Sequence, residues 1–357
     1  MKQVVYYFIM REWLLLLSLT GLIATSYHLE KLPLYTPKEI IPIFLLFSLF
    51  IVIKGVENSN LLLKTAVTLE QGSLLALKLV SITFVLSMIV TIDVALVTML
   101  PIILSLNIKQ KENLTILVTL TAHVGAALTP FGTPQNLFIY SFYHVDTFQF
   151  IKAIAPFSLG MFIIFIIVAL SMKVTSDISV KREDFSVHKL LAFSYLFLLL
   201  IVVLAVLRIL PVWVALSSLF FALLFDPKSL KIDYALLFTF LIFLGLTSNI
   251  KLMIGGMIHH PVHIFTLSSI MSQFISNVPT TLLLNQFTTQ WEALLWGSNV
   301  GGFGSLVAAL ANLITYKIYL SYGDKQHTGR FIFKFIVAGY LAFALGFILF
   351  FFKHYLY

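Results

Sequence analysis

The sequence predicts an all-α polytopic membrane protein of two inverted repeats, each with a re-entrant helical hairpin and a broken transmembrane helix. Three observations lead to this prediction. Of the 357 residues, 60% are hydrophobic and 11% are charged, and the mean hydropathy is +1.01. Four long apolar stretches carry polar or helix-breaking residues at their centres, and the two halves of the chain repeat the same order of motifs.

The composition excludes an ordinary soluble domain, in which about a quarter of the residues are charged. The formal charge of +8 comes from basic residues in short connectors between apolar runs, which indicates a topology signal rather than a nucleic-acid interface. The chain has no cysteine, which excludes disulfides, thiolate metal sites and cysteine nucleophiles. It also lacks HExxH, GxSxG and phosphate-loop motifs, so we predict that it is not an enzyme.

About 20 apolar residues are needed for a helix to cross a bilayer, and this length defines the predicted elements. The first repeat, residues 1–172, has predicted spans at 13–28 and 39–55, a hairpin at 74–106, a broken helix at 112–140 and a span at 152–172. A cytoplasmic linker is predicted at 173–189. The second repeat, residues 190–357, has predicted spans at 190–207, 210–225 and 233–249, a hairpin at 261–291, a broken helix at 292–316 and a span at 331–352.

The hairpins are predicted from their length and their polar centres. Residues 74–106 are too many for one span and too few for two, and Thr91-Ile92-Asp93 lies in the middle. Residues 261–291 have a similar length, and their centre reads Ser276-Asn277-Val278-Pro279, where proline breaks a helix. Backbone groups freed inside a membrane need protein, water or ligand partners. We therefore expect two re-entrant hairpins, each entering and leaving on one face of the membrane, with a polar tip near the midplane.

The internal duplication appears when the broken helices are aligned. Residues 122–140 match residues 298–316 at an offset of 176, which pairs Asn136 with Asn312. The hairpin tips match at an offset of 185, which pairs Thr91 with Ser276. Two spans precede the first hairpin and three precede the second, so the second half is predicted to be inverted, as in alternating-access carriers.

The distribution of basic residues predicts the orientation. With a cytoplasmic N-terminus, the cytoplasmic segments hold sixteen Lys and Arg residues and the outer segments hold six. This bias follows the positive-inside rule. The apolar stretch at residues 13–27 has no clear cleavage site and is read as a retained first span. We therefore expect a multi-pass protein of the cell inner (plasma) membrane.

Four strings resemble the ion transporter superfamily: TIDVALVTMLP (91–101), LTPFGTPQNLFIY (128–140), SNVPTTLLL (276–284) and NVGGFGSLVAALANL (299–313). The resemblance is closest to its citrate-transporter and anion-permease branches. It extends to arsenite efflux permeases and divalent anion:sodium symporters, and covers roughly residues 40 to 350. It implies a scaffold domain, a transport domain that moves as an elevator, and a homodimer.

The resemblance also implies where a solute binds. Dicarboxylate carriers of the superfamily place Ser-Asn-Thr at both hairpin tips, which contact substrate carboxylates and lie beside sodium sites. By position these residues correspond to Thr91-Ile92-Asp93 and to Ser276-Asn277-Val278. Asparagine is kept only at Asn277, Ile92 has no polar side chain and Asp93 adds a charge. These departures argue against a dicarboxylate held symmetrically by both tips.

The predicted site residues lie at the tips and breaks, where unwound backbone and polar side chains offer oxygen ligands to a cation and helix N-termini face an anion. The predicted substrate-binding residues are Thr91, Asp93, Thr129, Thr133, Ser276, Asn277, Thr280 and Ser305. The predicted ion-coupling residues are Asp93, Gly132, Asn136, Ser298, Asn299, Gly301, Gly302 and Asn312. No metal site beyond sodium and no cofactor other than sodium ions is expected.

Asp93 and His123 are the titratable residues of interest. A carboxylate in mid-membrane is costly and usually marks an ion path, so Asp93 is predicted to bind sodium or accept a proton. The alternative is a structural carboxylate that caps the second helix of the hairpin. His123, which aligns with Asn299, either carries protons or is a hydrogen-bonded packing residue.

The sequence thus predicts a secondary active carrier of a small anion, a carboxylate or an oxyanion, driven by a sodium or proton gradient. Its expected partners are that solute, the coupling cation and the lipid bilayer, and not nucleic acid. The alternative on the same fold is an arsenite-type efflux permease or a cation/proton antiporter. A channel or a membrane-embedded enzyme would belong to another class.

Overall fold

The computed structural model describes residues 13–62, 64, 74–106, 108, 110–172 and 187–356, and every regular element in these ranges is helical. Most of the predicted linker at 173–189 lies outside the described residues. The same holds for Lys2, Arg11 and several other basic residues on which the predicted orientation depends.

Fifteen α-helices are found in the described part of the chain. In the first half they are α1 (Trp13–Leu29), α2 (Pro37–Asn58), α3 (Leu75–Ile89), α4 (Ile92–Ser105), α5 (Lys111–Ala127), α6 (Pro134–Phe142) and α7 (Thr147–Ser171). In the second half they are α8 (Lys189–Val206), α9 (Leu216–Phe225), α10 (Tyr234–Ile254), α11 (Pro261–Ile275), α12 (Asn277–Leu284), α13 (Trp291–Gly301), α14 (Leu310–Tyr322) and α15 (Thr328–Leu356).

Five of these helices, α2, α7, α8, α10 and α15, are long and apolar enough to cross a bilayer. Helices α1, α3 and α4 are also apolar but shorter, as is the segment Val212–Phe225 that ends with α9. The helices that are too short to cross a bilayer include those of the two predicted hairpins, α3 with α4 and α11 with α12. The all-helical, polytopic membrane class predicted from composition is therefore confirmed, whereas the inverted repeat stays a prediction.

Local sequence signals explain where several helices begin. Thr36 and Glu39 form a capping box at the start of α2, and Pro37 occupies its first turn. The Asp146 carboxylate accepts hydrogen bonds from the backbone N–H groups of Phe148 and Gln149 and caps α7.

The helices pack in two groups. In the first group, α1 packs on α10 and α2 packs on α8, and α9 also contacts α2. In the second group, α3 packs on α5, α11 packs on α13, and α14 packs on α4. The groups meet mainly where α2 contacts α6 and α10 contacts α12.

The interruptions differ in detail from the sequence predictions. The first hairpin turns at Val90 and Thr91, so Thr91 precedes α4 while Asp93 lies in its first turn. In the second hairpin, Ser276 separates α11 from α12 with φ of 72°, a left-handed conformation that is uncommon for a side chain-bearing residue. Residue 291 belongs to the following helix rather than to the hairpin. The second break runs from Gly302 to Ala309 and is longer than predicted, because helix α14 starts only at Leu310.

Helix α15 passes directly against the second break. A Cβ at Gly339 would lie 2.7 Å from the carbonyl oxygen of Gly304 and 2.9 Å from its nitrogen, distances at which backbone must move. Gly304 itself has φ of 94°, so two glycines are required at this crossing.

We expect Gly339→Ala to destabilise the protein by about 1–3 kcal/mol, because the added methyl overpacks a contact between two backbones. The matched control is Gly160→Ala, whose methyl would meet the Leu349 side chain at an ordinary 3.6 Å. Thermal unfolding in one detergent compares the two variants. Equal melting temperatures would contradict the packing described for α15.

Candidate functional site

The first candidate unit joins hairpin tip 1, at Val90 and Thr91, to break 1, residues 128–133. The backbone N–H of Ile92 donates to the carbonyl of Gly132 at 3.3 Å, and the Thr129 hydroxyl donates to the carbonyl of Met88 at 3.0 Å. A Cβ at Gly132 would lie 2.2 Å from the carbonyl oxygen of Ala126, so only glycine lets the unwound chain fold back here. Tip and break are therefore one connected structure.

The second candidate unit joins hairpin tip 2, at Ser276, to break 2, residues 302–309. The backbone N–H of Asn277 donates to the carbonyl of Ala308 at 2.9 Å. The Ser305 hydroxyl donates to the carbonyl of Gln273 at 3.0 Å. These two bonds are the counterparts of the two bonds in the first unit.

Both units follow the offsets that the sequence alignment gave. Thr129 and Ser305 are related by 176 residues, as are Gly132 and Ala308. Met88 and Gln273 are related by 185 residues, as are Ile92 and Asn277. Contacts between segments aligned independently thus recur in both halves, which supports the predicted duplication.

One asparagine in each half holds its own unwound backbone. The Asn136 amide nitrogen donates to the carbonyls of Ala127 and Thr129, at 3.0 and 3.2 Å. The Asn312 amide nitrogen donates to the carbonyls of Gly302 and Ser305, at 3.0 and 2.9 Å. Since a broken helix leaves carbonyls without partners, these amides supply hydrogen bonds that the helix no longer makes.

The same two asparagines connect the halves. The side-chain oxygen of Asn136 accepts from the Asn299 amide at 2.8 Å. The side-chain oxygen of Asn312 is 2.9 Å from Nε2 of His123. His123 and Asn299 are aligned positions, as are Asn136 and Asn312. Each contact therefore joins the asparagine of one half to the aligned position of the other half, as expected for a pseudo-twofold axis between them.

Asp93 lies beside tip 1 and is not a helix cap. The residue in the N-cap position of α4 is Thr91, and Asp93 occupies the first turn, so the alternative role as N-cap is wrong. Its carboxylate makes no hydrogen bond or ion pair with any described residue. The Asp233 carboxylate at the start of α10 is close enough to act on it electrostatically. A carboxylate without a basic partner inside a membrane protein is a candidate ligand for a cation.

The structure brings most predicted residues together but gives some of them local roles. The Thr280 hydroxyl donates to the carbonyl of Ser276, which precedes its helix, and the Ser298 hydroxyl donates to the Leu295 carbonyl within its own helix. Thr133 caps α6 by accepting from the Asn136 backbone N–H. Gly301 is a packing position, because a Cβ there would lie 2.6 Å from Ser272 Oγ.

Gln273 is the residue that sequence reasoning missed. Its amide nitrogen donates to the carbonyls of Gly301 and Phe303, at 2.8 and 3.0 Å, and its oxygen accepts from the backbone N–H of Ser305 at 3.0 Å. The available signal was a glutamine in a largely apolar helix, three residues before the tip. Its counterpart in the first half, Met88, contributes only a backbone carbonyl.

The chain is similar in sequence to a transporter family and to named membrane proteins. The family model described as citrate transporter matches residues 6–296 of the chain. The uncharacterised transporter MJ0456 of Methanocaldococcus jannaschii is 31% identical over 310 residues, which cover 81% of this chain and 83% of that protein. The inner membrane protein YbiR of Escherichia coli K12 is 29% identical over 262 residues, which cover 68% of this chain and 69% of that protein.

We expect Gln273→Met, which copies Met88, to destabilise the protein by at least about 2 kcal/mol, because buried backbone groups of break 2 lose their partners. Gln326→Met, in an exposed loop, is the matched control. Chemical unfolding of both purified variants measures the effect. Stability like that of the control would show that Gln273 does not hold the break.

Proposed function

Since the chain belongs to the citrate transporter family, we propose that this multi-pass membrane transporter carries a small anion, a carboxylate or an oxyanion, by secondary active transport. A sodium or proton gradient drives the movement, and the solute binds between the two tips and the two breaks. The observation that carries the proposal is the pair of tip–break units joined through Asn136 and Asn312. Paired broken helices that meet at their breaks form the binding sites of many alternating-access carriers.

Contacts along α15 support opposite orientations of the two halves. Lys334 near one end of α15 pairs with Glu112 at the start of α5, at 2.8 Å. Lys353 near the other end pairs with Glu292 at the start of α13, at 3.5 Å. These lysines are about 28 Å apart along one helix, close to the thickness of a bilayer core. Helices α5 and α13 therefore start at opposite ends of α15, as inverted repeats require.

Asp93 supports coupling to a cation. Its carboxylate is not paired within the described residues, and Asp233 acts on it with the same sign of charge. Sodium prefers oxygen ligands, and the unwound backbone nearby offers carbonyl groups. A proton would neutralise the same carboxylate.

Polar contacts between the two groups of helices support an elevator movement. Arg208, after α8, donates to the carbonyls of Tyr140 and Val145, at 2.7 and 3.2 Å. Gln286, after α12, donates to the Glu39 carboxylate of α2 at 3.1 Å. Side-chain bonds of this kind can break without unfolding either group. A homodimer, expected from the resemblance, completes the proposed assembly.

We expect Asp93→Asn to abolish gradient-driven uptake in proteoliposomes without lowering the melting temperature. The neutral amide lacks the negative charge that a coupling proton or cation would neutralise. Asp324→Asn, an exposed loop position, is the control. The solutes are di- and tricarboxylates, inorganic oxyanions and arsenite, each with a sodium, proton or no gradient. Coupled uptake by Asp93→Asn would contradict the proposed coupling role of Asp93.

The same panel separates the alternatives. Arsenite movement as the only response would favour an arsenite-type permease, and cation–proton exchange without a solute would favour an antiporter. Flux that never accumulates solute against its gradient would indicate a channel. Turnover of a solute in detergent, without any gradient, would indicate an enzyme.

The orientation can be tested by labelling, because the natural chain has no cysteine. We expect Gln110→Cys and Asp324→Cys to react with an impermeant thiol reagent from the cytoplasmic side. His144→Cys and Thr289→Cys should react from the outer side. Labelling of Gln110→Cys and Thr289→Cys from the same side would contradict the inverted arrangement.

A further inference from the structure

A cavity of about 390 Å³ opens where helices α11 and α13 begin and α15 ends. The residues that line it belong to neither hairpin tip and to neither break. Its floor is aromatic, since Trp296 is 1% exposed and Phe350 is 6% exposed. Its rim is polar and carries Glu292, Lys353 and His354. We refer to this space as the α15 cavity, and its volume lies within the range of small-molecule sites.

The α15 cavity lies at a boundary of the apolar layer. Lys353 on its rim is about 28 Å along α15 from Lys334, and this distance is close to the thickness of a bilayer core. Trp291, also on the rim, is half-buried. Tryptophan and lysine are the side chains that favour the interface between lipid and water. The cavity is therefore at the level where phospholipid head groups lie.

Lys353 is held over the floor of the cavity. Its Nζ donates to the Ala153 carbonyl at 3.1 Å and lies 5.3 Å from the centroid of the Trp296 ring. The Trp296 indole N–H donates to the same carbonyl at 2.8 Å, so both side chains are fixed to α7. An ammonium has three N–H groups, and the remaining contact of Lys353, with Glu292, is long at 3.5 Å. Lys353 can therefore donate to an acceptor in the cavity.

Glu292 places a negative charge beside Lys353. The Glu292 side chain is 57% exposed, and among the described residues Lys353 is its one side-chain partner. The neighbouring Gln290 side chain makes no hydrogen bond with any described residue. A carboxylate has two acceptor oxygens and an amide has one, so this side of the rim can accept several hydrogen bonds. The cavity thus presents a cation and an anion side by side.

This pair of charges selects the chemistry of a ligand. A head group with only negative charge would meet Glu292, and one with only positive charge would meet Lys353, so like charges would oppose both. A head group with a phosphate and an ammonium matches both charges. A trimethylated ammonium would need an aromatic face, but Lys353 already covers that of Trp296. A primary ammonium, which donates hydrogen bonds, fits Glu292 better.

A row of phenylalanines leads from the cavity towards the middle of α15. The rings of Phe351, Phe347 and Phe343 follow one another at each turn, with centroids 6.4 and 4.7 Å apart. All three are partly buried, so each keeps some apolar surface. Apolar surface that continues from a polar cavity into the membrane layer suits the acyl chain of a lipid. A water-soluble ligand would have no contact with it.

We propose that the α15 cavity binds a phospholipid whose head group carries a phosphate and a primary ammonium, as in phosphatidylethanolamine. The phosphate accepts a hydrogen bond from Lys353, and the ammonium donates to Glu292 and to the Gln290 side-chain oxygen. The acyl chains lie along the phenylalanine row. This site is separate from the proposed solute site and does not depend on which solute is carried.

Three phospholipids with the same acyl chains test the proposal. Native mass spectrometry of the purified protein in detergent measures the binding of phosphatidylethanolamine, phosphatidylcholine and phosphatidylglycerol. We expect phosphatidylethanolamine to bind about tenfold or more tightly than either of the others, because one hydrogen bond to a charged group is worth about that factor. Equal affinities for the three lipids would overturn the proposal.

The soluble head group separates a lipid site from a site for a free phosphate compound. Free phosphoethanolamine has the same two charges but no acyl chains. We expect it to bind at least about tenfold more weakly than the lipid, because it cannot cover the phenylalanine row. Binding as tight as that of the lipid would overturn the lipid as the occupant.

Two variants locate the preference in the cavity. Glu292→Gln removes the charge that faces the ammonium, so phosphatidylethanolamine should lose its advantage over phosphatidylcholine. Lys353→Gln removes the phosphate donor and should weaken both lipids about tenfold. The matched controls are Glu112→Gln and Lys334→Gln, which alter the ion pair at the opposite end of α15 and should bind like the wild type.

The decisive quantity is the ratio of the two affinities in Glu292→Gln, since this exposed side chain can change without loss of the fold. A ratio like that of the wild type would overturn the proposal, as would an equal loss in the control variants. Binding is measured without a gradient, so its result is independent of uptake. A protein that binds the lipid as expected but shows no gradient-driven uptake would keep this site and contradict the proposed transport.

Discussion

The structure depends on keeping unwound backbone hydrogen-bonded inside an apolar protein. Each broken helix exposes carbonyls that water satisfies in a soluble loop but that have few partners within a membrane. Asn136 and Asn312 meet this constraint, because their amide nitrogens bind the carbonyls of their own break. A helix broken at this depth without such a side chain would leave buried acceptors unpaired, at a cost of about 1–3 kcal/mol each.

The same asparagines make the two halves one unit. Their oxygens accept from Asn299 and His123 across the centre, so the side chain that permits each break also joins it to the other half. Hairpin tips attach to the breaks through Thr129 and Ser305. Tips, breaks and α15 therefore form one connected body.

Within this symmetric frame the contents of the two halves differ. In the first half, the corresponding positions hold Ala126 and Ile92, and the Asp93 carboxylate has no partner among the described residues. In the second half, the polar side chain of Asn277 packs against Gly302, and Gln273 holds the longer break.

Local chemistry explains which parts of this arrangement could be predicted from the sequence. Proline and glycine clusters indicate helix breaks, and Asn136 and Asn312 occupy the same position in two similar segments. The breaks and the paired asparagines could therefore be predicted from the sequence. The apolar runs likewise predicted a polytopic helical membrane protein, because long uncharged segments are stable as helices surrounded by lipid rather than water. The end of break 2 at Ala309 and the start of α13 at Trp291 were not marked by such signals.

Only the tertiary structure decided which polar side chains are free and which are already used. The hydroxyls of Thr280 and Ser298 bind carbonyls three or four residues before them, whereas Nδ1 of His123 and the Asn277 amide make no hydrogen bond within the described residues. Gln273 gained its role from carbonyls almost thirty residues further along the chain. Residue type and local spacing determine that a helix must break and that an amide can repair it. Contacts between distant segments determine which groups remain for a ligand. A donor or acceptor that already has a partner at hydrogen-bonding distance, about 3 Å, is not available to a solute.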